Sequence, residues 1–80
     1  MPTVDMIGSL RVVIFPNDHR PAHVHVIGKG HEAVFRLHGP EGAPELRENY
    51  GFPASELTKI KAALTERRAH LCAKWSEIHD

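Results

Sequence analysis

Eighty residues and 9.0 kDa make one small domain and exclude a two-domain enzyme. Hydrophobic residues at 41% and charged residues at 25% exclude wholesale disorder. Ten Lys and Arg against ten Asp and Glu give a formal net charge of zero, which argues against the basic footprint of a nucleic-acid binder.

The front half reads as short strands. Thr3 to Ile7 is a weak strand, Gly8-Ser9 a two-residue turn, and Leu10 to Phe15 a strand of β-branched and aromatic residues. Pro16-Asn17-Asp18 breaks it, and Pro21 keeps Arg20 extended. His23 to Ile27 alternates, Gly28-Lys29-Gly30 turns, and Glu32 to His38 is another strand. A four-residue loop, Gly28 to His31, pairs Ile27 with Glu32, Val26 with Ala33, His25 with Val34, Val24 with Phe35 and His23 with Arg36. One face then collects Val24, Val26, Ala33, Phe35 and Leu37. The other collects His23, His25, Glu32, Val34 and Arg36. A three-residue loop would set the histidines opposite Phe35, so the need for a buried face selects the longer one. Residues 39–51 read as a connector, with Pro44 to Glu48 at most a short edge strand.

Leu57, Ile60, Leu64, Leu71, Trp75 and Ile78 recur at three, four and seven and fall within roughly 60° of a helical wheel. Pro53 suits a first turn, and Glu56 lies near the positive end of the dipole. From Ala54 to His79 one helix would run about 39 Å, long enough to overhang a small sheet. The expectation is an α+β domain over 1–80. A small, mostly antiparallel sheet of three or four strands occupies 1–48, and one long C-terminal helix over 53–79 packs on one face.

Five of the seven histidines fall between 19 and 38. On a strand, His23 and His25 project to one side about 7 Å apart. His19, ahead of the proline bend, can fold back to join them. His19, His23 and His25 are therefore candidate ligands for a divalent transition metal such as zinc, in an open site of catalytic type. Glu32 or Asp18 would add a fourth ligand or support the rings. A metal-free reading uses the same face: His23 and His25 as general acid and base, with Arg36 stabilising phosphate charge. The plain alternatives are a solvated polar sheet face, or histidines that bond across loops. Lys59, Lys61, Arg67 and Arg68 are scattered around the helix with Glu66 and Glu77, a mixed surface and no basic stripe.

Cys72 is a lone cysteine, so no internal disulfide forms, and it reads as inert packing. With no leader-like start and no apolar run near the roughly 18 residues of a span, the chain reads as soluble and cytoplasmic, with no membrane partner.

Met1-Pro2-Thr3-Val4, Ile7-Gly8, the run Asn17-Asp18-His19-Arg20-Pro21-Ala22-His23-Val24-His25-Val26, and Gly51-Phe52 ahead of Glu56-Leu57 occur in this order. Together they resemble a small uncharacterised bacterial family known by the pattern N-[DE]-H-x-P-P-H-x-H-V and catalogued as a domain of unknown function. The resemblance covers nearly the whole chain and carries His19, Pro21, His23 and His25. The chain departs from the pattern at Ala22, where the family often has a second proline. It departs again at Pro53, where a serine commonly caps the helix. The resemblance implies a short cytoplasmic protein, often encoded beside another small protein in a toxin–antitoxin-like arrangement, and no established activity.

The favoured expectation is an interaction or regulatory protein, one member of such a pair, whose partner is another small protein or a second copy of itself. A thin core, an overhanging helix and open sheet edges all favour association. The rival is a small enzyme built on His19, His23 and His25, either a ribonuclease toxin or a metal-dependent hydrolase. The charge balance does not point to nucleic acid.

Overall fold

The computed structural model describes residues 3–79. Five strands follow one another in chain order: β1 Thr3–Ile7, β2 Leu10–Val13, β3 His23–Gly28, β4 His31–Arg36 and β5 Glu45–Tyr50. Every neighbouring pair is antiparallel, in the order β1-β2-β3-β4-β5. Two helices complete the chain, α1 Ala54–Glu66 and α2 Arg68–His79. The class is α+β, with one strand more than expected and two helices in place of one.

The β3–β4 hairpin pairs in the register chosen by face burial. His23 lies opposite Arg36, His25 opposite Val34 and Ile27 opposite Glu32, and the ladder extends one pair further, to Gly28 and His31. The turn is therefore just Lys29 and Gly30, both at positive φ (55° and 77°), the conformation a two-residue hairpin requires. Val24, Val26, Ala33 and Phe35 are at most 1% exposed, as are Ile60 and Leu64 on α1. With Leu71 and Trp75 from α2 they form one apolar cluster, with Leu57, Cys72 and Ile78 packed against it. The predicted helical stripe is thus the roof of the sheet.

The helix breaks at Arg67, whose φ of −109° and ψ of 12° leave the helical region. A straight helix of about 39 Å exceeds the longest dimension of the molecule, 33 Å. Breaking the axis keeps Leu71 and Trp75 on the core, at 0% and 2% exposure, so Trp75 is buried where an overhang was expected. The joint is fastened from both sides. Arg67 Nε lies 3.1 Å from Asp5 Oδ2, and its Nη1 donates to the Ala63 carbonyl at 2.8 Å.

Strand β5 is exposed along its whole length, which explains why no apolar alternation announced it. Its end leads directly into α1. Asn49 clasps Phe52 through paired contacts, Nδ2 to the carbonyl at 2.9 Å and Oδ1 from the amide at 3.1 Å. Between them Gly51 adopts φ +106°, and a Cβ there would fall 2.2 Å from Nδ1 of His31. Gly51→Ala combines backbone strain with that clash. It should lower unfolding free energy by about 1–3 kcal/mol in a urea titration.

No helix among the described residues is long and apolar enough to cross a membrane.

Candidate metal centre and adjoining cavity

The site grows from the break after β2. Pro16 and Asn17 occupy the centre of a turn closed by the Asp18 amide donating to the Phe15 carbonyl at 3.0 Å. Proline at the first central position sets the φ that such a turn needs. The turn carries the Asp18 carboxylate beneath the start of β3, where His23 and His25 stand on one face, their ring centroids 5.3 Å apart. Asp18 Oδ2 then lies 3.1 Å from Nε2 of His23 and 3.1 Å from Nε2 of His25. The three ligand atoms fall within 4.8 Å of one another.

The other nitrogen of each ring is also held. Nδ1 of His23 lies 2.9 Å from the Pro21 carbonyl, which only accepts, so that nitrogen carries a proton. Nδ1 of His25 lies 2.9 Å from Glu32 Oε2, a carboxylate that accepts in the same way. With Nδ1 protonated, a neutral ring aims its Nε2 lone pair at the Asp18 oxygen. That contact is attractive only with a cation between the two atoms, a proton or a metal ion.

A metal ion fits three features at once. Ligand atoms about 2.0–2.1 Å from a tetrahedral ion sit about 3.3 Å from each other, close to the 3.1 Å contacts here. Metal-bound histidines donate their second N–H to a carboxylate or a backbone carbonyl, the roles that Glu32 and Pro21 occupy. The charges of Asp18 and Glu32 together match one divalent cation. The site is sheltered yet not sealed, with the His25, His23 and Asp18 side chains 15%, 21% and 22% exposed. An open, wet face was expected. Instead Phe15 stands edge-on to His25, and the Trp75 indole lies against His23 at 5.3 Å.

His19, expected as the third ligand, is placed elsewhere. It is exposed and lines a neighbouring cavity of about 260 Å³, and Asp18 stands with His23 and His25 in its place. His23 and Arg36, two of the three residues considered for acid–base chemistry, line the same cavity, whereas His25 does not. Both nitrogens of His23 and of His25 are engaged by oxygen atoms, so neither ring presents a free nitrogen for proton transfer to a substrate. Pro21, Val34, Arg47 and Glu48 complete the cavity wall. Arg47 was not singled out from the sequence, and nothing in the local pattern marks it. The register of β4 and β5 shifts between Val34 and Phe35, so that Glu48 pairs with Val34, Leu46 with Phe35, and Arg47 is left over. Such a bulge re-aims a side chain, and here consecutive residues Arg47 and Glu48 both reach the cavity.

Cys72 offers no competing chemistry. Burial pushes its thiol above the ordinary range, outweighing a contact with the Gly39 backbone, so it holds little of the nucleophilic thiolate.

No curated protein matches the chain, and no solved structure does. The family described as "Domain of unknown function (DUF4160)" matches residues 10–76, which span every strand but the first, the cluster of Asp18, His23 and His25, the cavity and most of both helices. The chain belongs to the DUF4160 family.

Proposed function

We propose that the protein is a small metal-dependent hydrolase whose divalent transition-metal ion is held by Asp18, His23 and His25. The observation that carries this reading is the convergence of two imidazole Nε2 atoms on one carboxylate oxygen, with both Nδ1 atoms tied to acceptors. Three protein ligands leave a coordination position for water, the pattern of catalytic rather than structural zinc. A divalent ion held by Asp18, His23 and His25 would supply Lewis-acid activation of water near neutral pH. Native mass spectrometry after incubation with zinc, manganese or nickel should show one ion per chain. Hydrolysis of p-nitrophenyl esters should require the ion and stop with chelator. Chains that stay metal-free at micromolar zinc, or hydrolysis indifferent to chelator, would overturn the reading.

Glu32 acts through His25, as a positioning residue. Glu32→Gln keeps an acceptor oxygen but removes the charge. It should weaken zinc binding about 10–100-fold in a competition titration, with the circular dichroism spectrum unchanged.

A second reading is favoured by β5. This edge strand is exposed throughout, with Leu46 39% and Tyr50 57% exposed, and its outer side is open to pairing. In that reading the protein is one half of a toxin–antitoxin-like cytoplasmic pair and adds a strand of a second small protein to β5. Leu46→Lys should then abolish co-purification with such a second protein co-expressed with the chain and leave zinc binding intact. Co-purification unaffected by the charge would remove β5 from the interface.

A further inference from the structure

The cavity beside the metal cluster carries its own chemistry. Arg36 enters it from β4, opposite His23 in the hairpin register. Its Nε is buried and has no hydrogen-bond partner among the described residues. Leaving a guanidinium donor buried and unpaired is costly, so an acceptor brought to Arg36 gains a strong hydrogen bond. Arg47 reaches the same space because the β5 bulge turns it there. Its partner within the chain is weak, Glu45 Oε2 at 3.4 Å on the exposed surface. The one carboxylate in the wall, Glu48, accepts the hydroxyl of Tyr50, which engages it within its own strand. Two guanidiniums and the His19 imidazole thus face one carboxylate, while both nitrogens of His23, also in the wall, are already engaged. The wall is made for an anion that accepts several hydrogen bonds.

We propose that this cavity binds the phosphate group of a small phosphomonoester, with Arg36 and Arg47 as its principal donors. Paired guanidiniums match the planar, multidentate geometry that phosphate oxygens accept. A volume of about 260 Å³ admits a phosphate and a small organic group. A chain with zero formal net charge supplies no field for a polyanion, which sets nucleic acid aside. The inference rests on the hydrolase reading for its chemistry, because His23 belongs to both the cavity wall and the metal cluster. Hydrolysis there joins the oxygen of water to phosphorus and breaks the phosphorus–oxygen ester bond. The departing alkoxide takes the proton that water loses, so an alcohol and inorganic phosphate are released.

Binding is separable from catalysis, and the test exploits this. Metal-free protein is titrated with inorganic phosphate, glycerol phosphate and a dinucleotide phosphodiester, followed by calorimetry and by the arginine Nε–H signals in 15N NMR. Phosphate and glycerol phosphate should bind and shift the Arg36 Nε–H signal, with the diester at least tenfold weaker. Arg36→Gln and Arg47→Gln should each weaken phosphate binding at least tenfold. Arg47→Gln alters an exposed side chain and keeps the test valid if Arg36→Gln unfolds. Lys59→Gln, on the exposed surface of α1 and outside the cavity, should bind phosphate as the wild type does. Absence of phosphate binding, or binding unchanged by both arginine substitutions, would overturn the cavity proposal and leave the metal centre standing. A diester held as tightly as the monoester would overturn the substrate class. Phosphate bound as expected by a chain that takes up no metal would overturn the hydrolase and keep the anion site.

Discussion

Replacing His25 with alanine should lower zinc affinity at least a hundredfold and abolish metal-dependent hydrolysis, while the protein stays folded. His25 is the centre of the cluster: it holds Asp18 through one nitrogen and Glu32 through the other. Removing the ring takes away one of the three proposed ligands and leaves two carboxylates without their shared partner. The loss of binding follows because the ion would have to replace imidazole with water in a sheltered site. The fold survives because His25 faces away from the apolar cluster, which is built from Val24 and Val26 on the other side of the same strand. Zinc competition with a chromophoric chelator reads the affinity, and circular dichroism reads the fold. An affinity within threefold of wild type would remove His25 from the site.

Trp75→Ala should cost about 3–5 kcal/mol of unfolding free energy. For a chain of 80 residues that is much of a total of about 4–12 kcal/mol. Trp75 is 2% exposed, part of the apolar cluster, stacked on His79 at 3.7 Å and against His23 at 5.3 Å. Its Nε1 is buried without a hydrogen-bond partner among the described residues. Trp75→Phe therefore sacrifices packing volume but no hydrogen bond, and should cost less than half as much as the alanine change. Urea denaturation of both variants measures this. Equal losses would mean that the indole nitrogen, and not ring volume, matters at this position.

The parts of the fold that were legible in the sequence are those with a face to bury. Val24 and Val26 alternate with His23 and His25, and only one pairing with β4 puts the valines opposite Phe35 and Ala33. The helical stripe was legible for the same reason. Its break was not, because Arg67 is neither proline nor glycine, and the bend answers to the size of the sheet. Strand β5 was legible only as a short edge strand over Pro44 to Glu48, because Glu45, Arg47, Glu48 and Asn49 bury nothing. At the site, the pairing of His23 with His25 follows from strand geometry alone. The choice of Asp18 over His19 depends on which way a turn points, which neighbouring positions in a chain do not reveal. Arg47 depends on a bulge that only the pairing of β4 with β5 shows.

X-ray absorption at the zinc edge of the zinc-loaded protein tests the central claim most directly. The predicted first shell holds two imidazole nitrogens and a carboxylate oxygen at about 2.0–2.1 Å, with water completing it. The outer-shell pattern of imidazole carbons should fit two rings. A shell of oxygen atoms without imidazole scattering would contradict a metal centre at Asp18, His23 and His25.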